Sequence, residues 1–420
     1  MYPLFEMENI YIKIIRELHE IAQAQLTATA DLNDDNAKKL ISDMTFSYIQ
    51  THDLNSYFDY QQIKNIIEKI YLKTRSKLNI LKPLLDDKEV SEIMVNGSDK
   101  IFYERKGEIF TYKYSFDSEE EVEEVMQAIA SQVNREINEL NPILDARLPD
   151  GSRVNAVYKN VAVTGPTITI RKFLDKAISI EQLVNNGTLT EQAAYLLMAY
   201  VKCGYNIFIS GGTSSGKTTL INALSEYIDE DQRVIVIEDS AELKLKGICN
   251  LVQMECRNSN SYGKGKVSMS DLLKTSLRMR PDRLIVGEIR GEEAFDMLQA
   301  MNTGHSGMCT GHGNSTMGML KRLETMYLQA VSIDTDAIRR QIAEGIEIMV
   351  HVERKGKVRK VVEISEILGY ENGEFKLNSL MHIKDGYLAY TGNSIENINK
   401  LLQKGEEYIS GLQINGFICK

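Results

Sequence analysis

Gly211-Gly212-Thr213-Ser214-Ser215-Gly216-Lys217-Thr218 spells a G-x-x-x-x-G-K-T loop, and each residue type in it answers a demand that a phosphate makes. The glycines let backbone N–H groups curl around phosphate oxygens, and a helix starting behind the loop adds its positive end. Lys217 has the reach for β- and γ-phosphates, and the Thr218 hydroxyl suits Mg²⁺. With Thr219 at the start of that helix, Gly211 to Thr219 form the candidate nucleotide-binding set, and ATP with Mg²⁺ is the pair it would hold. The competing reading is a glycine turn that binds nothing.

Two apolar runs end in carboxylates: Val234 to Glu238 with Asp239, and Leu284 to Glu288. A phosphate loop needs one acid for the water shell of Mg²⁺ and one to polarise the attacking water. Glu288 is assigned to the metal shell, through water, and Glu238 to the attacking water; exchanged or shared roles stay open. Thr303-Gly304-His305 and Thr310-Gly311-His312-Gly313-Asn314-Ser315 place two of the six histidines seven residues apart among glycines. Zinc would want more ligands than this segment offers. Such a histidine either senses a γ-phosphate or bonds to neighbouring backbone, and spacing supports both equally. Arg147, Arg153 and Arg171 precede the loop, and Arg278, Arg280, Arg283 and Arg290 surround Glu288; composition alone does not choose among them.

These side chains need a scaffold. Tyr205 to Ser210 reads as a strand and Thr219 to Leu224 as the start of a helix, the context that turns the loop into a site. Short apolar strands alternating with helices predict a parallel sheet covered on both faces. Ile348 to Glu353 and Val358 to Ile364 predict a hairpin around Gly356, and the tail from about residue 372 a small strand pair and a final helix. Upstream, Glu92 to Gly97, a hairpin across Lys106-Gly107, a helix capped by Ser118, and strands at 153–157 and 167–171 make an α+β domain. Residues 5–78 show helical spacing, as in Ile63, Ile66, Ile67 and Ile70, and no chemical motif. The expected order is a helical N-terminal region (1–79), an α+β domain (80–175) and an α/β domain with a small C-terminal extension (176–420). Leu174-Asp175-Lys176-Ala177 is the expected hinge.

Length alone, 420 residues, predicts more than one domain. A net charge of −10 disfavours nucleic acid as main partner. Five cysteines without a C-x-x-C pair read as buried thiols in a reducing compartment. The N-terminus lacks signal-peptide character and no apolar run is long enough for a span, so a cytoplasmic protein with peripheral membrane contact is expected.

Taken in order, four boxes carry a resemblance. Besides the phosphate loop they are Glu238-Asp239-Ser240-Ala241-Glu242-Leu243, Arg280 to Gly291 around Val286-Gly287-Glu288, and the histidine segment from Thr303 to Ser315. The chain resembles the type II/type IV secretion ATPases, most nearly the CpaF/TadA branch that drives tight-adherence (Flp) pilus assembly. Leu144 to Asn155 and Ile170-Arg171-Lys172-Phe173 are similar to that branch, and Gly311 departs from it, standing where relatives have a bulkier residue. The resemblance covers roughly residues 80–420. It implies a RecA-like P-loop NTPase motor domain behind a mobile N-terminal domain, in a homo-hexameric ring on an inner-membrane platform protein. It also implies sensing of nucleotide by His312 and by arginines of the preceding domain, here Arg153 and Arg171. The alternatives are a conjugation-type traffic ATPase, a RecA-like nucleic-acid motor, and a scaffold that binds ATP without turnover.

Overall fold

The computed structural model describes residues 4–28, 33–172, 178–257, 259, 264–356 and 358–418. The chain divides into two compact units, Met1–Leu174 and Asp175–Lys420. The expected hinge at residues 174–177 lies outside the described residues.

In the first unit, helices Leu4–Ala28, Asp34–Thr51 and Tyr60–Arg75 pack through apolar stripes at helical spacing, burying Ile14, Leu18, Ile41, Ile49, Ile66 and Ile70. Asp59 and Gln62 form a reciprocal capping box at the start of the third. A six-stranded antiparallel sheet follows: β1 (Val90–Asn96), β2 (Lys100–Arg105), β3 (Glu108–Thr111), β4 (Ile143–Arg147), β5 (Arg153–Val157) and β6 (Thr167–Arg171), in the order β3-β2-β1-β6-β5-β4. Lys106 and Gly107, at φ +53° and +80°, make the β2–β3 turn, a pairing of positive angles that matches strand twist. Helix Glu119–Gln132, capped by Ser118, buries Val122, Val125, Met126 and Ile129 in one cluster with Ile93, Val95, Ile168 and Ile170 of the sheet. The helices at the N-terminus are tied to this domain by charge: Lys73 Nζ lies 2.6 Å from Asp117 and 2.8 Å from Glu121, and Lys69 also pairs with Asp117.

The second unit shows the expected α/β architecture. Among the described residues one sheet holds nine strands: β7 (Ile207–Gly211), β8 (Arg233–Glu238), β9 (Asn250–Glu255), β10 (Arg283–Ile289), β11 (Ser306–His312), β12 (Ile348–Lys355), β13 (Val358–Glu371), β14 (Glu374–Lys384) and β15 (Tyr387–Tyr390). The order is β15-β14-β13-β12-β7-β11-β10-β8-β9. From β12 to β9 all pairings are parallel, and from β12 to β15 they are antiparallel. The sheet is therefore mixed rather than purely parallel. The tail strands are not a separate pair: β14 and β15 continue the nine-stranded sheet as its antiparallel edge. Period-two alternation sorts the strand residues into two cores. Ile207, Ile209, Val234, Val236 and Ile285 pack with helices on one face, and Phe208, Ile235, Ile237, Leu284 and Val286 on the other.

No helix among the described residues is long and apolar enough to cross a membrane.

Candidate active site

The carboxyl ends of β7, β11, β10 and β8 lie side by side, and each carries one of the predicted groups. This is where open parallel sheets bind ligands. β7 ends at Gly211, whose Cα faces the β12 backbone so closely that a Cβ would lie 2.2 Å from Val352 O. The loop then turns through Ser214 (φ +56°) and Gly216 (φ +103°) into helix Lys217–Ser225. Gly212, Thr213 and Ser214 are exposed, while Thr218 and Thr219 are half-buried on the first helical turn.

Lys217 is buried, and its ammonium donates to Gly211 O at 3.0 Å, Gly212 O at 2.9 Å and His312 Nδ1 at 3.3 Å. Burial lowers its pKa, and Glu288 partly opposes that. An ammonium only donates, so His312 Nδ1 accepts and the neutral ring carries its proton on Nε2. That nitrogen lies 2.9 Å from Glu288 Oε1. Burial and then the Lys217 charge hold the His312 pKa below its ordinary value, keeping the ring neutral. Glu288 Oε2 accepts from Arg290 at 2.9 Å, and Arg290 reaches on to Asp239 at 3.5 Å. Burial pushes the Glu288 carboxyl up, but Arg290, His312 and Lys217 outweigh it and leave the pKa lowered. The β10–β11 register shifts between Val286 and Ile289, so Gly287 and Glu288 occupy a bulge, a device that re-aims a side chain. Thr310 pins the bulge by donating to Gly287 O at 2.6 Å.

Glu238 takes a different environment. It is 3 % exposed, its Oε1 accepts from the backbone N–H groups of Glu242 and Leu243, and its Oε2 has no partner among the described residues. A Cβ on Gly287 would come 2.9 Å from Glu238 Cγ, so only glycine there admits this carboxylate beside the Glu288 strand. Burial raises its pKa to about 7, against the opposing pull of the two N–H groups. The folded protein thus holds a proton that the unfolded chain has already released, and stability falls as pH rises from the ordinary carboxyl value through about 7. Glu238→Gln mimics the protonated acid. Relative to wild type, its melting temperature is expected to be equal at about pH 4 and higher at about pH 8; a difference constant across that range would refute the buried acid.

The two histidines part company. His312 ends β11 at the site, whereas His305 precedes β11 at its other end and packs its Nδ1 3.3 Å from Ala300 O, the backbone-bonded alternative. The absent side chain of Gly311 is filled by neighbours: a Cβ there would meet the Phe208 ring at 2.8 Å and Met319 at 2.9 Å.

Sequence reasoning missed His351. It is buried on β12, beside Ser210 in the parallel register, with Nδ1 2.8 Å from Ser210 Oγ just before the phosphate loop. Its only sequence signal was a lone histidine in the apolar run Ile348 to Val352.

Arg153 and Arg171 belong to the first unit, where they stand directly opposite one another on β5 and β6, and Arg147 stands opposite Arg153 on β4. Three guanidinium groups share one face of three adjacent strands.

The donor set suits Mg-ATP. Among the described residues no three His, Cys, Asp or Glu side chains gather to hold a metal ion. The Thr218 hydroxyl and the Glu288 carboxylate are hard oxygen ligands, and Mg²⁺ takes few such groups, completing its shell with phosphate and water.

The family described as type II/IV secretion system protein matches residues 74–355. An uncharacterised protein of Methanocaldococcus jannaschii is 41% identical over 251 residues, 57% of this chain, and the chain spans only 34% of that relative's length. The conjugal transfer protein TrbB of Rhizobium radiobacter is 34% identical over 306 residues, covering 72% of this chain and 91% of TrbB. Among solved structures, the pilus retraction motor PilT with bound ADP superposes with a TM-score of 0.51 at 19% identity, covering 80% of this chain and 89% of PilT, a likeness of fold.

Proposed function

This chain belongs to the type II/IV secretion system family, and on that premise we propose that it is a ring-forming motor whose ATP turnover drives a pilus or secretion apparatus at the membrane. The chain is an ATPase of secretion systems. The observation that carries the motor reading is the contact chain from Lys217 through His312 to Glu288, which joins the phosphate loop to two neighbouring strand ends.

Lys217 and the loop N–H groups bind and orient the phosphates, Thr218 and Glu288 hold the metal side, and Glu238 takes the proton of the attacking water. A carboxyl with a pKa of about 7 is well matched to that last task at neutral pH. Mg²⁺, when bound, neutralises charge on the β- and γ-phosphate oxygens. His312, neutral and close to both Lys217 and Glu288, registers the γ-phosphate, and Arg153 and Arg171 are the arginines the family resemblance assigns to nucleotide sensing.

Within motors, the tight-adherence pilus reading rests on Leu144 to Asn155 and Ile170 to Phe173. The conjugation-type reading is favoured by the near full-length likeness to TrbB. In either, a hexamer docks on an inner-membrane platform protein from the cytoplasmic side. Turnover stimulated by the detergent-solubilised platform protein supports the motor; stimulation by single-stranded DNA instead would move the chain to nucleic-acid motors.

Head-to-tail contacts close into a ring when the rotation between neighbours allows. Sedimentation with a non-hydrolysable ATP analogue is expected to show a closed ring, and small-angle scattering an ATP-dependent change of shape that Arg153→Ala and Arg171→Ala lose. A monomer at micromolar protein would sink the ring.

A further inference from the structure

We propose that Arg359, on the β12–β13 hairpin, is a positioning residue that braces the phosphate loop from its outer side and sets nucleotide affinity. The proposal rests on the reading of residues 211–218 as the nucleotide site.

The hairpin reaches the loop because of where β12 lies. β12 pairs with β7 as far as Val352 opposite Gly211, and the strand then runs on past the point where the loop begins. β13 returns along it with Lys360 opposite Glu353 and Arg359 opposite Arg354. Arg354 turns away, its Nε donating to Gly356 O within the hairpin's own turn. Arg359 turns the other way and donates from Nε to Ser214 O at 3.0 Å. Its stem covers the loop as well, since a Cβ on Gly216 would meet Arg359 Cδ at 3.3 Å.

The Ser214 carbonyl is the outward half of a peptide whose inward half matters. In a trans peptide the C=O and N–H point in opposite directions, and no cis peptide is present among the described residues. A donor holding Ser214 O from outside therefore aims the Ser215 N–H inward. That N–H lies 3.4 Å from Gly212 O, the same carbonyl that takes the Lys217 ammonium at 2.9 Å. Arg359 thus fixes the Ser214–Ser215 peptide, whose N–H closes the loop onto Gly212 O, in a loop whose residues 212–214 are otherwise exposed. The register gives Arg359 no opposite charge on β12. It stands opposite Arg354, and like charges in register weaken a hairpin.

The test compares wild type, Arg359→Ala, Arg359→Gln and Lys217→Ala. Affinity for a fluorescent ADP analogue, steady-state ATP turnover and the melting temperature are measured. Arg359→Ala is expected to weaken ADP binding and raise the KM for ATP roughly three- to tenfold, the net scale of one ordinary hydrogen bond, with kcat and melting temperature close to wild type. Arg359→Gln, which keeps a donor without the charge, is expected to recover part of that loss. Unchanged ADP affinity in Arg359→Ala overturns the brace, as does a parallel fall of kcat and melting temperature, which marks a merely structural contact. Failure of wild type itself to bind the analogue would instead overturn the nucleotide reading, and the brace with it.

Discussion

Replacing Lys217 by alanine is expected to end measurable ATP turnover while leaving the fold in place. The ammonium is the one side-chain cation that touches the loop carbonyls of Gly211 and Gly212 and His312 among the contacts described above. Its loss removes a preorganised charge from the point where phosphate charge develops, an effect on the scale of a hundred- to a thousandfold or more. The helix does not suffer, because alanine is the best helix former and the position opens helix Lys217–Ser225. A readout independent of activity follows from the same contact. The Lys217 charge helps hold the His312 pKa down, so the imidazole titration of His312, followed by NMR, is expected to move up in Lys217→Ala. Turnover at the wild-type rate would remove the phosphate-loop assignment.

Glu288→Gln is expected to keep Mg-ATP binding and slow hydrolysis by about a hundredfold or more, the cost of losing a positioned acid or metal-shell group. The wild-type carboxylate accepts from Arg290 on one oxygen and lies 2.9 Å from His312 Nε2 with the other. An amide presents an N–H toward either Arg290 or His312, so the variant loses the charge and disturbs one of these two neighbours. Here the His312 titration is expected to move down, since Glu288 is the group that raises it. Opposite shifts from Lys217→Ala and Glu288→Gln would establish that the three side chains act as one array. Should Glu288→Gln hydrolyse normally while Glu238→Gln is inactive, the metal-shell and water roles of the two acids are exchanged. Normal activity in both would place the chemistry elsewhere.

What the sequence made legible was local. The phosphate loop shows itself because glycine, lysine and threonine must follow one another on one turn, and the acids of Glu238 and Glu288 because they end apolar runs. The β2–β3 hairpin and the Ser118 cap were readable from a turn and a cap residue. Register was not readable. Arg147, Arg153 and Arg171 were seen as three separate cations, and only the pairing of β4, β5 and β6 lines them up. Edge strand β9 escaped because Asn250 to Glu255 mixes polar and apolar residues without the continuous apolar character of its neighbours. β13 runs to Glu371 rather than Ile364, across two register shifts against β14 that no period-two pattern survives. His351 and Arg359 act on the loop from strands that lie more than a hundred residues downstream of it, where no local motif reports the contact.

That distance has a consequence for biosynthesis. The strand that feeds the phosphate loop, β7, takes its two neighbours, β11 and β12, from residues 306–312 and 348–355. Such pairing is slow, because the loop-closure entropy is spent before the non-local contacts reward it. When Lys217 leaves the ribosome, β7 has neither partner, and its buried apolar face is open on both sides. A nascent or truncated chain ending before β11 carries the complete phosphate-loop motif on a strand with neither neighbour, and one ending before β12 leaves one edge of β7 open, a ready template for aggregation.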